Sequence, residues 1–271
     1  MNNTMVKIED AVVSYREDVA LRGVSLEVKR GEFIGIIGPN GAGKTTLLTL
    51  INGLGKLLQG QVHVLGHHLN GHNPNGLRKR IGYVAQIQNI DPRMPIKVRE
   101  VVMIGRYGRL GLLRRPKSAD WDIVDKMLEL VGMSHLAERP IGHLSGGEQQ
   151  RVSIARCLAQ EPEIFLLDEP TTALDWRSQS EIMELVRSIH DSQKLTTLLV
   201  THDLNSLFHI CDRVVLMKEG KIWRVGKPEA ILAEEILSQL YDMPISIIAH
   251  QGEQVVLSHE NRRDLSWISP S

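Results

Sequence analysis

An α/β fold built on a parallel sheet is what this sequence predicts, and three observations predict it. The runs Phe33-Ile34-Gly35-Ile36-Ile37, Ile164-Phe165-Leu166-Leu167 and Thr197-Leu198-Leu199-Val200 are apolar without alternation, the mark of strands covered on both faces. Between the last two, Ser180–His190 carries Ile182, Leu185, Val186 and Ile189 at helical spacing. Residues 6–15 and 21–29 alternate apolar and polar instead, as half-buried antiparallel strands do, with Arg30-Gly31 turning the chain. Strands alternating with helices require a parallel sheet with helices on its faces, beside which the first two strands form an antiparallel β-subdomain.

The other elements follow in order. A glycine loop after Ile37 leads into a helix over Thr45–Ile51. Residues 87–160 read as a mainly helical insertion. Ser118 is the expected cap of a helix with Asp120 and Asp122 in its first turn and Trp121, Val124, Leu128 and Val131 as its stripe, ended by Gly132. A second helix is expected to start at Ser145. Val214–Met217 and Ile222–Val225 flank Glu219-Gly220 as a hairpin, and Ile245–Ile248 and Gln254–Leu257 suggest two small strands in the tail. No internal repeat or low-complexity segment is present.

At 271 residues, 42% hydrophobic and 24% charged, the chain is long enough for one large α/β domain with a small appendage. Thirty-two basic residues balance thirty-two acidic ones, which argues against a nucleic-acid partner. The first seven residues carry no basic stretch leading into an apolar one, so no secretory leader is expected. No apolar run approaches the roughly 20 residues that span a bilayer. Cys157 and Cys211 are expected to be free thiols in a reducing compartment.

Chemistry concentrates at three places. Gly38-Pro39-Asn40-Gly41-Ala42-Gly43-Lys44-Thr45 fits the GxxxxGK[ST] phosphate loop, with Thr46 continuing it. Gly38, Gly41 and Gly43 let the backbone aim N–H groups at phosphate oxygens, and the following helix adds the positive end of its dipole. Lys44 would reach the β- and γ-phosphates, and the Thr45 hydroxyl would ligate Mg2+. Asp168-Glu169 closes an apolar strand at the sheet edge where α/β ligands bind. There Asp168 would hold Mg2+ through a water, and Glu169 would orient or deprotonate the attacking water. Ser145-Gly146-Gly147-Glu148 reads as a capping box, in which each side chain satisfies a backbone N–H of the first turn. It reads equally as a phosphate site at a helix start, and the two readings coexist. Together these elements imply ATP hydrolysis.

Leu144–Val152 (LSGGEQQRV) resembles the signature of ABC-transporter ATPase subunits, and the resemblance covers residues 5–240. It implies a P-loop NTPase core spanning residues 1–240, a helical subdomain at about 87–160, and a short C-terminal extension over 241–271. It also implies roles for single residues. Tyr15 would stack on adenine, Gln86 would sense Mg2+ and the permease, Asp175 would belong to the D-loop, and His202 would touch the γ-phosphate. Glu148 stands where the family most often has glutamine. The implied assembly is two copies, head to tail, each ATP sandwiched between one phosphate loop and the other copy's signature. The implied setting is peripheral, on the cytoplasmic face of the inner membrane, against transmembrane permease subunits that an extracytoplasmic solute-binding protein supplies.

Residues 91–95 and 105–116 resemble those of zinc, manganese and iron importers, and Arg106, Arg109, Arg114 and Arg115 are expected to flank the permease groove. His63, His67, His68 and His72 read as incidental loop histidines rather than a metal site. The alternatives are a siderophore-iron or cobalamin importer, a non-transport ABC ATPase, and a nucleotide-binding regulator that does not turn over.

Overall fold

The computed structural model describes residues 3–15, 18–69, 76–85, 91, 93–111, 114–250 and 253–258. The strands β1 (Thr4–Tyr15) and β2 (Asp18–Lys29) form an antiparallel pair, as their alternation predicts. The strand β3 (Phe33–Ile37) then runs into α1 (Lys44–Ile51), and β4 (Leu57–Val64) and β5 (His67–His68) return to the first sheet in the order β2-β1-β4-β5. The strand β6 (Ile81–Val84) precedes the helical insertion, which holds α2 (Val98–Leu110), α3 (Ser118–Leu130) and α4 (Gly146–Leu158). After it come β7 (Ile164–Asp168), α5 (Trp176–Gln193), β8 (Thr196–Val200), α6 (Leu204–Ile210) and the hairpin of β9 (Arg213–Lys218) and β10 (Lys221–Gly226). The chain closes with α7 (Pro228–Ile231), α8 (Glu234–Tyr241) and a hairpin of β11 (Ile245–His250) and β12 (Glu253–Ser258).

The central sheet runs β10-β9-β3-β8-β7-β6, parallel except at its β10 edge. All five residues of β3, β7 and β8 are buried, so their lack of alternation reflects helices or sheet on both faces. Successive side chains of a strand point to opposite faces, and the cores divide accordingly. Ile34, Ile36, Leu166 and Val200 join Leu47 and Leu48 of α1 and Val6, Ile8 and Val24 of the antiparallel sheet. Phe33, Phe165, Leu167 and Leu199 join Val102, Val124, Leu128, Val152 and Ile154 of the helical insertion and Ile182 and Val186 of α5. A third core holds Ile37, Leu207, Val214, Leu216, Leu237, Leu240 and Ile245, with Ile247 and Val256 packed against it. The C-terminal hairpin is therefore fastened down. The Ser238 hydroxyl accepts from the Ile245 N–H at 2.9 Å, and the Asn205 side chain accepts from the Val256 N–H at 2.8 Å.

Two expectations need correction. Ser118 is the first helical residue of α3 rather than its cap; the Asp120 carboxylate reaches back to the Lys117 N–H at 3.0 Å and closes that turn instead. Arg106 is not a rim charge. Arg106 is 7% exposed, and its guanidinium donates to Asp120 at 3.2 Å, the Ala159 carbonyl at 2.8 Å and Glu161 at 2.6 Å. Arg109 donates to the Gln160 and Glu161 carbonyls, at 2.6 and 2.9 Å. Both clamp α2 onto the end of α4, and Arg109, Arg114 and Arg115 are exposed.

Candidate nucleotide site

The phosphate loop sits where β3 leaves the sheet. Backbone approach there is too close for side chains. A Cβ on Gly38, at φ 155°, would lie 2.1 Å from the Met217 carbonyl oxygen, and one on Gly43, at φ 95°, would lie 2.7 Å from that of Ala20. Both positions demand glycine. Gly43 precedes the first turn of α1, leaving that turn's N–H groups to face the loop. Lys44 is 6% exposed, and its ammonium donates to the Gly38 and Pro39 carbonyls at 2.8 and 3.1 Å. Burial holds its pKa below the ordinary lysine value, against the opposing pull of Glu169 and Asp168. Asn40 and Gly41 are exposed, Ala42 is buried, and Thr46 is half-buried.

Asp168 ends β7 beside this loop and is 4% exposed. The Thr45 hydroxyl donates to one of its oxygens at 3.1 Å and the Tyr83 hydroxyl to the other at 2.9 Å. Burial raises its pKa, and the two hydroxyl donors offset that in part. Thr45 and Asp168 thus form a hard-oxygen pair at the mouth of the phosphate loop, a donor set that suits Mg2+. Tyr83 was not singled out from sequence; within Tyr83-Val84-Ala85-Gln86 it reads as an ordinary strand aromatic.

Glu169 leaves the strand with φ at 49°, a left-handed conformation a non-glycine residue rarely adopts. Its N–H still bonds the Val200 carbonyl at 2.9 Å, so the turn is hooked to β8. The side chain is held from two sides: His202 Nε2 lies 2.9 Å from one oxygen, and the Thr172 hydroxyl donates to the other at 3.1 Å. His202 follows β8 as Glu169 follows β7, so adjacent strands deliver both. Thr172 is a second residue that sequence reading missed, because a threonine inside a turn carries no periodic signal.

The segment Ser145–Glu148 caps α4 as predicted. Glu148 accepts from the Ser145 N–H at 2.7 Å, and the Ser145 hydroxyl accepts from the Glu148 N–H at 3.3 Å. The Ser145 N–H also holds the Glu148 carboxyl below the usual carboxylate range. Among the described residues no hydrogen bond or ion pair joins this segment to the phosphate loop of the same chain. Its neighbours are Leu174 and Ser178, 3.2 and 3.1 Å from a Cβ built on Gly146 and Gly147. Asp175 caps α5, accepting the Ser178 N–H at 2.9 Å. Tyr15 ends β1. Gln86 and His72 lie outside the described residues. The His63 and His68 rings stack at 4.7 Å across β4 and β5, and no group of three or more His, Cys, Asp or Glu side chains among the described residues could hold a metal ion.

Comparison with known proteins places these features in context. The family model described as ABC transporter matches residues 21–172. The manganese transport system ATP-binding protein MntB of Bacillus subtilis (strain 168) is 39% identical over 87% of this chain and 92% of its own length. The ferric enterobactin transport ATP-binding protein FepC of Escherichia coli (strain K12) is 35% identical over 89% of this chain and 88% of its own. The ABC transporter ATP-binding protein YvrA of Bacillus subtilis is 37% identical over 91% of this chain, which spans only 56% of that longer protein. Among solved structures, the ADP conformation of the ATP-binding cassette MJ1267 matches with a TM-score of 0.78 at 27% identity, covering 88% of this chain and 98% of that one. The dimeric post-hydrolysis state of the cassette MJ0796 bound to ADP and Pi matches at 0.70 and 32% identity, covering 83% and 99%.

Proposed function

Because this chain belongs to the ABC transporter ATP-binding family, we propose that it powers a membrane importer of divalent metal ions such as manganese, zinc or iron. It is an ATPase subunit that binds nucleotide, with a second cassette and membrane permease subunits as its partners. Among the described residues no helix is long and apolar enough to cross a membrane. We assign residues 1–240 to the ATPase domain, with its helical subdomain at about 87–160, and 241–271 to an extension. The chain would sit on the cytoplasmic face, and a solute-binding protein outside the membrane would supply the permease.

The observation that carries the catalytic reading is the convergence of Thr45–Asp168 and Glu169–His202 on the mouth of the phosphate loop, held by contacts of 3.1 and 2.9 Å. Loop and α1 N–H groups, with Lys44, bind the phosphates of ATP, while Tyr15 stacks on its base. Thr45, Asp168 and Gln86 would hold Mg2+, which screens phosphate charge when bound. Glu169 takes the proton of the attacking water as its oxygen bonds to the γ-phosphorus and ADP leaves. His202 and Thr172 keep that carboxylate aimed. The signature Ser145-Gly146-Gly147 has no partner in its own phosphate loop, so its N–H donors and the adjacent Asp175 serve ATP held by the second copy. Permease docking falls to the exposed apolar residues Ile104 and Tyr107 of α2, 46% and 53% exposed, with Arg114 and Arg115 beyond them.

Replacing Glu169 with glutamine tests this. The variant should bind ATP, stop hydrolysing it, and sediment as a dimer when ATP is added. Parental turnover by Glu169→Gln would remove Glu169 from its role. Cells lacking the protein should accumulate less manganese, zinc or iron under scarcity, by elemental analysis. Similarity to FepC favours the second reading, a siderophore importer, if those metals stay normal and chelated-iron uptake fails.

A further inference from the structure

The helix α6 has only seven residues, about two turns, too few to be stable on their own. It begins two residues after His202, whose ring meets Glu169 at 2.9 Å. Whatever fixes the first turn of α6 therefore fixes the backbone from which His202 reaches. On the inner side the Asp203 carboxylate accepts the Asn205 and Ser206 N–H groups at 3.1 and 3.3 Å. The Asp203 N–H donates to the Thr201 hydroxyl at 3.0 Å, and Leu207 packs into the third core. On the outer side α6 meets the C-terminal hairpin. The Asn205 side-chain oxygen accepts the Val256 N–H of β12 at 2.8 Å, across 51 residues of chain. Gln254 and Val255, the two residues before, line a groove of about 990 Å3 that runs past Asn205 to His202 and Glu169. Packing of Ile247 and Val256 on the third core sets how deep the hairpin sits, but apolar contact has no direction. The hydrogen bond supplies direction and sets the hairpin's register along α6.

We propose that Asn205 is a positioning residue for ATP hydrolysis, hooking α6 to the C-terminal hairpin so that the His202 ring stays against Glu169. The proposal rests on the reading that His202 keeps the Glu169 carboxylate aimed. It goes beyond that reading by giving β12 a part in turnover. Asn205 acts through α6 and His202 rather than on the reacting atoms. With the hook released, the first turn of α6 loosens and Glu169 loses one of its two holders for part of the time. Nucleotide binding, which belongs to the phosphate loop, is left as it was.

The test is steady-state hydrolysis by the full-length chain. Asn205→Ala should lower kcat about three- to tenfold, the most that one exposed hydrogen bond transmits. KM for ATP should stay within twofold and the melting point within about 4 °C. Asn205→Asp keeps an acceptor for the Val256 N–H and should recover most of the loss. Val256→Pro removes the donor instead, on an edge strand where proline is tolerated, and should reproduce the loss. The two changes together should cost no more than either alone. With 13C-labelled histidine, the ring resonance that disappears in His202→Ala should move in Asn205→Ala and return in Asn205→Asp. Parental kcat in Asn205→Ala, or losses that multiply in the double variant, overturns the proposal and spares the reading of His202. A lowered kcat with an unmoved His202 resonance overturns it likewise. If His202→Ala itself turns over at the parental rate, the underlying reading fails and the proposal fails with it.

Discussion

Replacing Arg106 with alanine should unfold the helical insertion's anchor rather than disturb any docking surface. The arginine side chain is 9% exposed and Asp120's is 11%, so their contact at 3.2 Å is nearly dry. Removing one partner of such a pair strands the other charge, at a cost of about 3–5 kcal/mol. The Ala159 carbonyl loses its donor too, a loss already inside that range because the two contacts are not independent. The Glu161 contact adds little, since that carboxylate is 52% exposed and screened by water. For a chain of this size each kcal/mol moves the melting point by roughly 2–4 °C, so the variant should melt about 6–20 °C lower, followed by circular dichroism in the absence of nucleotide. Replacing Arg106 and Asp120 together with Met and Leu should recover most of that loss, because an apolar pair leaves no stranded charge. A variant Arg106→Ala that melts within about 1 °C of the parent, yet loses stimulation by the permease, would refute this account and return the residue to the docking surface.

Lys44→Met and Asp168→Asn should each abolish hydrolysis while raising the urea midpoint of the nucleotide-free chain, because burial disfavours both charges. The lysine's folded pKa lies below 10.5, so its penalty is complete at neutral pH, and the advantage of Lys44→Met should shrink as pH climbs toward and past 10.5. For Asp168, whose folded pKa lies above 3.8, the penalty is complete only above that raised value, and the advantage of Asp168→Asn should fade as pH falls toward 3.8. A midpoint that drops at pH 7 in either variant contradicts this. Tyr83→Phe removes a 2.9 Å hydrogen bond to the Asp168 carboxylate, worth about 1.5–3 kcal/mol, and should lower kcat roughly tenfold or more with ATP affinity nearly unchanged. Parental turnover by that variant would make Tyr83 a bystander.

What could be read from sequence was whatever a local rule determines. The phosphate loop needs glycine at 38 and 43 because carbonyls of Met217 and Ala20 crowd them, and the glycines announce that crowding. Ser145 and Glu148 cap α4 across three residues, and the apolar runs ending at Ile37, Leu167 and Val200 betray strands covered on both faces. What could not be read were meetings across long stretches of chain. Arg106 looks like any basic residue in a basic run until α2 is laid on α4, 53 residues away at Ala159. Tyr83 finds Asp168 across 85 residues, because parallel β6 and β7 bring their ends together. Ser118 was a fair cap by type, but three-residue reach from Asp120 to Lys117 displaced the start by one position.

The second core has a bearing on how motion is transmitted. Phe33 and Phe165, both fully buried, belong to strands that deliver the phosphate loop and Asp168, yet their apolar neighbours include Val102, Val124 and Val152 of the three helices that present the signature. Any tilt of α2–α4 must slide methyl groups over the underside of the very strands that grip the nucleotide, in steps set by side-chain ridges rather than as free swing. The helices behave less like a hinged flap than like a gear meshed with the sheet. A push delivered at Ile104 and Tyr107, the docking residues proposed above, would thereby reach the base of β3 and β7 before any bond in the site is touched.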